Sequence, residues 1–100
     1  METISDDLRR YEELAKAMDE GIADCIAGLN DNYHLRYSGC VQWSLDTDKE
    51  IEEFREKMEA SGKRYYEPLI EVLELRHSEF LHKLEDFRQK IHRDLRRLVA

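Results

Sequence analysis

The stretch that decides the fold runs from Pro68 to Val99 and reads PLIEVLELRHSEFLHKLEDFRQKIHRDLRRLV. Its apolar residues recur alternately three and four positions apart, which is the a/d seam of a heptad repeat. We therefore predict one long helix over residues 67–99, about 48 Å in length. No other segment of the chain is long enough to cover this helix, so we expect part of its seam to need a partner chain. The seam consists of Ile70, Leu73, His77, Phe80, Leu84, Phe87, Ile91, Asp94 and Leu98.

A second amphipathic helix is predicted at about 4–29. Ser5 is a suitable N-cap, and Asp6 and Asp7 in the first turn favour the positive end of the helix dipole. Gly28 and the polar run 30–32 mark its end. Its apolar stripe consists of Ile4, Leu8, Tyr11, Ala15, Met18, Ile22, Cys25 and Leu29.

Residues 31–45 are ambiguous between a β-hairpin and a helix. Apolar and polar residues alternate on both sides of Gly39, which predicts a hairpin or loop with an aromatic apolar face over 33–45. Against this, Tyr33, Tyr37, Cys40, Ser44, Thr47, Ile51, Phe54 and Met58 also follow heptad spacing. Because Gly39 and its neighbours are poor helix formers, we favour the hairpin over this alternative helix.

A further helix is predicted over 47–61. Thr47 and Glu50 form a capping box at its start, and Gly62 follows its end. Pro68 suits the first turn of the long helix, although a single helix from 47 to 99 with a kink at Pro68 is an alternative. The chain is thus predicted to be one mainly α domain over 1–100, a helical bundle or antiparallel coiled coil of two to three helices.

Composition supports a helical protein. Charged residues make up 39% of the chain while proline and glycine total five residues, which disfavours sandwiches and barrels. Residues 1–62 hold 16 acidic and 7 basic side chains, a net charge of −9, whereas residues 63–100 hold 7 acidic and 9 basic ones, a net charge of +2. This asymmetry predicts polarity in how chains dock against each other.

No transmembrane or secretory segment is recognisable, so we expect a cytoplasmic protein. Cys25 falls on a core stripe, and Cys40 is placed in a predicted turn beside Gly39. A redox pair is conceivable, but for a cytoplasmic protein we predict two free thiols.

Glu74 and His77 form a Glu-x-x-His, the spacing with which di-iron carboxylate bundles direct two ligands at one metal. Because the inward stripes of the other predicted helices carry no carboxylate, two chains would have to complete such a site. We therefore expect no cofactor, and interpret His77 as a polar seam residue that sets register. On that interpretation, replacing His77 by leucine raises thermal stability.

The sequence contains no motif for nucleophilic catalysis and no glycine-rich phosphate loop, so we expect no enzyme. Paired carboxylates such as Asp6 and Asp7 are placed on helix exteriors. The basic tail could contact phosphates, although basic residues at a helix C-terminus also complement the dipole. Its members are Arg88, Lys90, Arg93, Arg96 and Arg97.

These patterns predict a non-enzymatic helical interaction protein, such as an adaptor, a chaperone-like escort or an inhibitor. It would act as a homodimer or by binding a partner helix. A nucleic-acid-associated protein and a dimeric ferritin-like metal protein are the alternatives. The predicted interface combines aromatic hot-spot residues with the end of the long helix. It comprises Tyr33, Trp43, Tyr65, Tyr66, Leu84, Phe87, Ile91, Leu95 and Leu98.

Overall fold

The computed structural model describes residues 4–99, and almost all of them are helical. Helix α1 (Ile4–Ala60) is followed by a short 3-10 turn (Arg64–Tyr66) and by helix α2 (Glu67–Val99). The two helices form a helical hairpin with dimensions of 61 × 19 × 17 Å. The predicted mainly α fold with a long C-terminal helix is therefore confirmed.

Helix α1 turns back on itself at Asn32, whose backbone leaves the helical region with φ −155° and ψ 87°. The side-chain Oδ1 of Asn32 accepts a hydrogen bond from the Leu35 N–H at 3.1 Å, as an N-cap does for the helix that follows it. We call residues 4–31 the first half of α1 and residues 33–60 its second half. The pairs that meet across the turn, Gly21 with Trp43, Cys25 with Cys40 and Gly28 with Arg36, show that the halves run antiparallel.

The predicted β-hairpin over 33–45 is wrong, because these residues are helical throughout. The predicted β-hairpin would bury Leu35 and Leu45, yet these side chains are 69% and 60% exposed. The heptad positions Cys40 and Ser44 are buried instead. Here burial between neighbouring helices outweighs the weak intrinsic preference of the segment, since propensity is a fraction of a kcal/mol per residue.

The predicted helix start at Thr47 is also wrong, because Thr47 lies buried inside the second half of α1. The end of α1 is as predicted from Gly62, which has a φ of +68°. Its N–H donates to the Glu59 carbonyl and the Lys63 N–H to the Met58 carbonyl, which together form a Schellman motif. The chain therefore leaves the helix before Pro68, and the alternative of one kinked helix over 47–99 is not found.

Two clusters of buried side chains form the core. Near the end of α1, Met58 and Ile70 are almost fully buried with Met18, Ile51, Tyr66 and Leu73. Near the turn at Asn32, Phe80 packs with Leu29, Cys40 and Leu84. Each such apolar side chain contributes about 1.5–3 kcal/mol to stability. Within residues 4–99 the structure has no helix with the length and apolarity needed to cross a membrane.

Candidate interaction surface

The first polar position in the seam of α2, His77, has a partner on the second half of α1. Its Nε2 lies 2.8 Å from the Ser44 hydroxyl and 3.1 Å from the Ser44 carbonyl oxygen. Both residues are buried, with His77 8% and Ser44 3% exposed. This pair is a specific polar contact between α2 and the second half of α1. Buried polar groups require such partners.

The second polar position, Asp94, is also matched. Its carboxylate accepts a hydrogen bond from the Tyr33 hydroxyl, and the His34 Nε2 lies 2.9 Å away. These contacts, with Tyr33 the stronger, lower the pKa of Asp94, and the same carboxylate raises the pKa of Tyr33. The ring of Phe87 lies 5.8 Å from that of Tyr33 and joins this polar cluster to the core.

The contact at Asp94 marks where the intramolecular cover of α2 ends. Tyr33 directly follows the turn at Asn32, so the residues of α2 after Asp94 extend beyond the rest of the hairpin. Leu95 is 51% and Leu98 79% exposed, although both continue the apolar stripe that is buried at Leu84. We call residues 95–99 the uncovered end of α2.

The second half of α1 covers more of the seam than the sequence predicts. Leu84 is buried, while Phe87 and Ile91 are half-buried against the same chain. The sequence predicts that no other segment is long enough to cover α2, and it assigns 33–45 to a β-hairpin. Because that segment is helical, it extends beside α2 as far as Asp94. Only the uncovered end lacks this cover among the described residues.

The predicted aromatic interface residues contact their own chain. Trp43 packs edge-to-face against Phe80, with ring centroids 5.4 Å apart, and Tyr66 is buried. The Tyr65 hydroxyl donates a hydrogen bond to Asp7. These three aromatics therefore contribute to packing within the chain.

Asp7 is a buried position that the sequence pattern assigns incorrectly to the helix exterior. Its side chain is buried, and Lys63 Nζ lies 2.8 Å from its carboxylate. Hydrogen bonds from Lys63 and then Tyr65 lower the pKa of Asp7. The first turn of α1 is thereby tied to the segment between the helices. No sequence signal separates Asp7 from Asp6, because the partners lie more than fifty residues away.

The predicted basic residues differ in their contacts. Arg88 is engaged by Glu85, with Nε 2.8 Å from the carboxylate, and Lys90 lies 4.9 Å above the ring of Phe87. Arg93 and Arg96 instead line a shallow exposed concavity on α2, together with Arg88, Gln89 and His92. Arg97 is exposed as well. The outer side of α2 near its end is thus basic.

The weak metal alternative requires the side chains of Glu74 and His77 to bind the same metal ion. In the structure Glu74 forms an ion pair with Arg55, and the Nε2 of His77 is directed at Ser44. Residues 4–99 contain no group of three or more histidine, cysteine or carboxylate side chains arranged to hold a metal ion.

Ser44, His77 and Asp48 superficially resemble a nucleophile, base and orienting acid. The His77 Nδ1 lies 4.0 Å from the Asp48 carboxylate, which is at the limit of an ion pair. A nucleophile must reach its substrate, however, and the Ser44 hydroxyl is enclosed between helices. The arrangement is suited to holding two helices in register.

Comparisons with models of protein families, with curated proteins and with solved structures found no match.

Proposed function

We propose that this protein is a non-enzymatic helical interaction protein whose binding surface is the uncovered end of α2. The observation that carries the proposal is the exposure of Leu95 and Leu98 on the same stripe that forms the core at Leu73 and Leu84. Apolar residues that continue a core stripe into solvent indicate a surface that another molecule covers. An adaptor, an escort and an inhibitor all use such a surface.

The scaffold of this surface is a three-helix bundle made by the two halves of α1 and by α2. Its a/d seams resemble those of coiled coils, and the pairs at His77 and Asp94 hold α2 in one register. A rigid scaffold presents the uncovered end without an ordering cost on binding.

The occupant that we propose is a second copy of this chain. Residues 67–86 of α2 carry six acidic and two basic side chains, a net charge of −4. Residues 87–99 carry five basic and one acidic side chain, a net charge of +4. Two α2 helices that pair antiparallel, with the uncovered end of each beside residues 67–86 of the other, therefore align opposite charges, while Leu95 and Leu98 meet the apolar side chains exposed there, Val72 and Leu75. Such complementarity favours this orientation over a parallel one.

The uncovered end is small, so the association should be weak. Interfaces that bury less than about 1,200 Å² in total belong to the transient class. We expect a dissociation constant between about 10 μM and 1 mM.

Sedimentation equilibrium across that concentration range tests the proposal. The wild-type chain should shift from 12.0 kDa toward twice that mass, and Leu95→Asp should remain monomeric. Leu45→Asp is the matched control, because Leu45 is 60% exposed and lies on α1, outside the paired α2 helices. It should associate as the wild type does. Added salt should weaken association, since it screens the paired charges.

A wild-type chain that stays at its monomer mass throughout this range would rule out self-association through α2. Equal effects of Leu95→Asp and Leu45→Asp would show that the surface lies elsewhere. Circular dichroism of both variants checks that the helical content is unchanged.

The exposed concavity formed by Arg93 and Arg96 favours nucleic acid as a second candidate partner. Phosphate contacts from these residues would give binding that falls steeply with salt. Fluorescence anisotropy with a labelled oligonucleotide should then show weaker binding for Arg93→Gln and Arg96→Gln, and no change for the Leu45→Asp control.

A further inference from the structure

The two cysteines lie opposite each other where the halves of α1 come together. The Cys40 thiol is directed at the Cys25 carbonyl oxygen, with Sγ 3.9 Å away. They border one open groove, which is also lined by Asp24, Ala27, Gly28, Asp31, Arg36 and Gly39.

Glycines on either side of Cys25 allow the two helices to approach closely. A Cβ atom added to Gly21 would lie 2.1 Å from the Trp43 ring, and one added to Gly28 would lie 3.4 Å from the Arg36 side chain. A disulfide needs Cα atoms no more than about 7 Å apart, which is closer than ordinary helix packing provides. The glycine-flanked position of Cys25 is therefore the place in α1 where a bridge between the halves can form.

Access differs between the two thiols. Cys25 is half-buried beside the open groove, whereas Cys40 is 6% exposed. A small oxidant can therefore reach Cys25 first, with Cys40 positioned behind it as the resolving thiol.

We propose that Cys25 and Cys40 form a reversible dithiol–disulfide pair that is oxidised by hydrogen peroxide. The Cys25 thiolate attacks one peroxide oxygen, the O–O bond breaks, and a sulfenic acid and water result. The Cys40 thiolate then attacks the Cys25 sulfur, the S–S bond forms, and a second water molecule leaves. Two thiols lose two electrons and two protons in total, and one peroxide is reduced to two waters. An external dithiol reverses the change by exchange.

The environment of Cys25 makes this reaction slow at neutral pH. Burial first, and then contact with Cys40, raises the pKa of the Cys25 thiol to about 12. Because the thiolate is the reacting species, the rate should rise with pH. The pair therefore responds to sustained oxidation and resists a brief pulse of peroxide.

The disulfide would join residues on opposite sides of the turn at Asn32. A bridge across a loop of this length restricts the unfolded chain, and the midpoint of thermal unfolding should rise by about 10 °C or more. The proposal does not depend on the pairing of α2 helices.

Intact-mass analysis after prolonged peroxide treatment at pH 7 and pH 9 tests the pair. We expect the loss of two hydrogen atoms from a monomeric chain, faster at pH 9, with full reversal by dithiothreitol and a higher unfolding midpoint for the oxidised form. Cys25→Ser and Cys40→Ser should each lack the intramolecular product, and Cys40→Ser should accumulate sulfenic acid at Cys25.

Three results would overturn the proposal. They are oxygen addition to the wild-type thiols without hydrogen loss, disulfide-linked dimers as the main product, and two thiols that remain titratable after treatment at pH 9. The same reaction of the wild-type chain in urea provides a control. A bridge that forms there at an equal or greater rate would show that the folded arrangement contributes nothing.

Discussion

Gly21 is the residue on which the close contact between the halves of α1 depends. The Trp43 ring occupies the space that a side chain at Gly21 would need, with ring atoms 2.1, 2.4 and 2.8 Å from an added Cβ. Atoms that close must move, and Trp43 is itself held edge-to-face by Phe80. The periodic stripes of the sequence do not mark Gly21, because a missing side chain leaves no hydrophobic signal.

Gly21→Ala should therefore destabilise the protein by about 1–3 kcal/mol, the cost of overpacking a filled interior. Gly39→Ala is the matched control, since Gly39 is helical and a Cβ added there meets nothing within 4 Å. It should stabilise the helix by about 0.5–1 kcal/mol. Urea unfolding measures the free energy of unfolding of both variants. Changes of the same sign would contradict the contact between Gly21 and Trp43.

The contact between His77 and Ser44 changes the stability expected for the His77→Leu variant. The interpretation of His77 as a polar seam residue that sets register predicts greater stability for His77→Leu. In the structure that change leaves the buried Ser44 hydroxyl without its partner on α2. An unsatisfied buried hydroxyl costs about 1–3 kcal/mol, which offsets the apolar gain.

We therefore expect His77→Leu to lower the unfolding midpoint and the double variant Ser44→Ala/His77→Leu to restore it. A double-mutant cycle that includes Ser44→Ala alone measures the coupling. Additive effects of the two single changes would show that the pair contributes no specific energy.

At the scale of the elements, two short signals determine where helices end. Asn32 caps the second half of α1, and Gly62 closes it with a left-handed residue. The polar run at 30–32 and the glycine at 62 both predict a helix end from sequence. Between these points the alternation of apolar and polar residues wrongly predicts β-strands. Tyr33 and Tyr37 are four residues apart, a spacing that fits both the two-residue repeat of a strand and the heptad repeat of a helix.

Asn32→Ala should lower stability by about 0.5–2 kcal/mol, because the Leu35 N–H loses its side-chain acceptor. Asn32→Asp retains an acceptor oxygen and should be nearly neutral. Asn30→Ala is the control, since Asn30 is exposed within the preceding helical turn. Thermal unfolding should rank Asn32→Ala below the other two, and an equally low midpoint for Asn30→Ala would count against the cap.

At the scale of the whole molecule, one carboxylate secures each end of the hairpin. Asp7 ties the start of α1 to Lys63 and Tyr65, and Asp94 ties the end of α2 to Tyr33 and His34. Both ends thus depend on ionised acids that accept hydrogen bonds.

The pKa values of Asp7 and Asp94 are lowered below 3.8 in the folded protein. Above that pH, the two carboxylates therefore make their full contribution to folding stability. It is lost as pH falls through the lowered values, because protons then bind the unfolded chain more readily. We expect stability measured by urea unfolding to decline below about pH 4. Asp7→Asn and Asp94→Asn should be less stable at pH 7 and should show shallower acid declines. An acid profile that neither substitution alters would contradict the assignment.

The sequence by itself determined the long C-terminal helix, the end of α1 at Gly62 and the break near Asn32, because these depend on local periodicity, caps and glycine conformation. Only the tertiary structure decided that 33–45 is helical, because cover by two neighbouring helices outweighs weak local preference. It also decided that Asp7 is buried and that the seam of α2 is covered as far as Asp94. These outcomes depend on contacts between residues far apart in the chain, and such contacts leave no local pattern in the sequence.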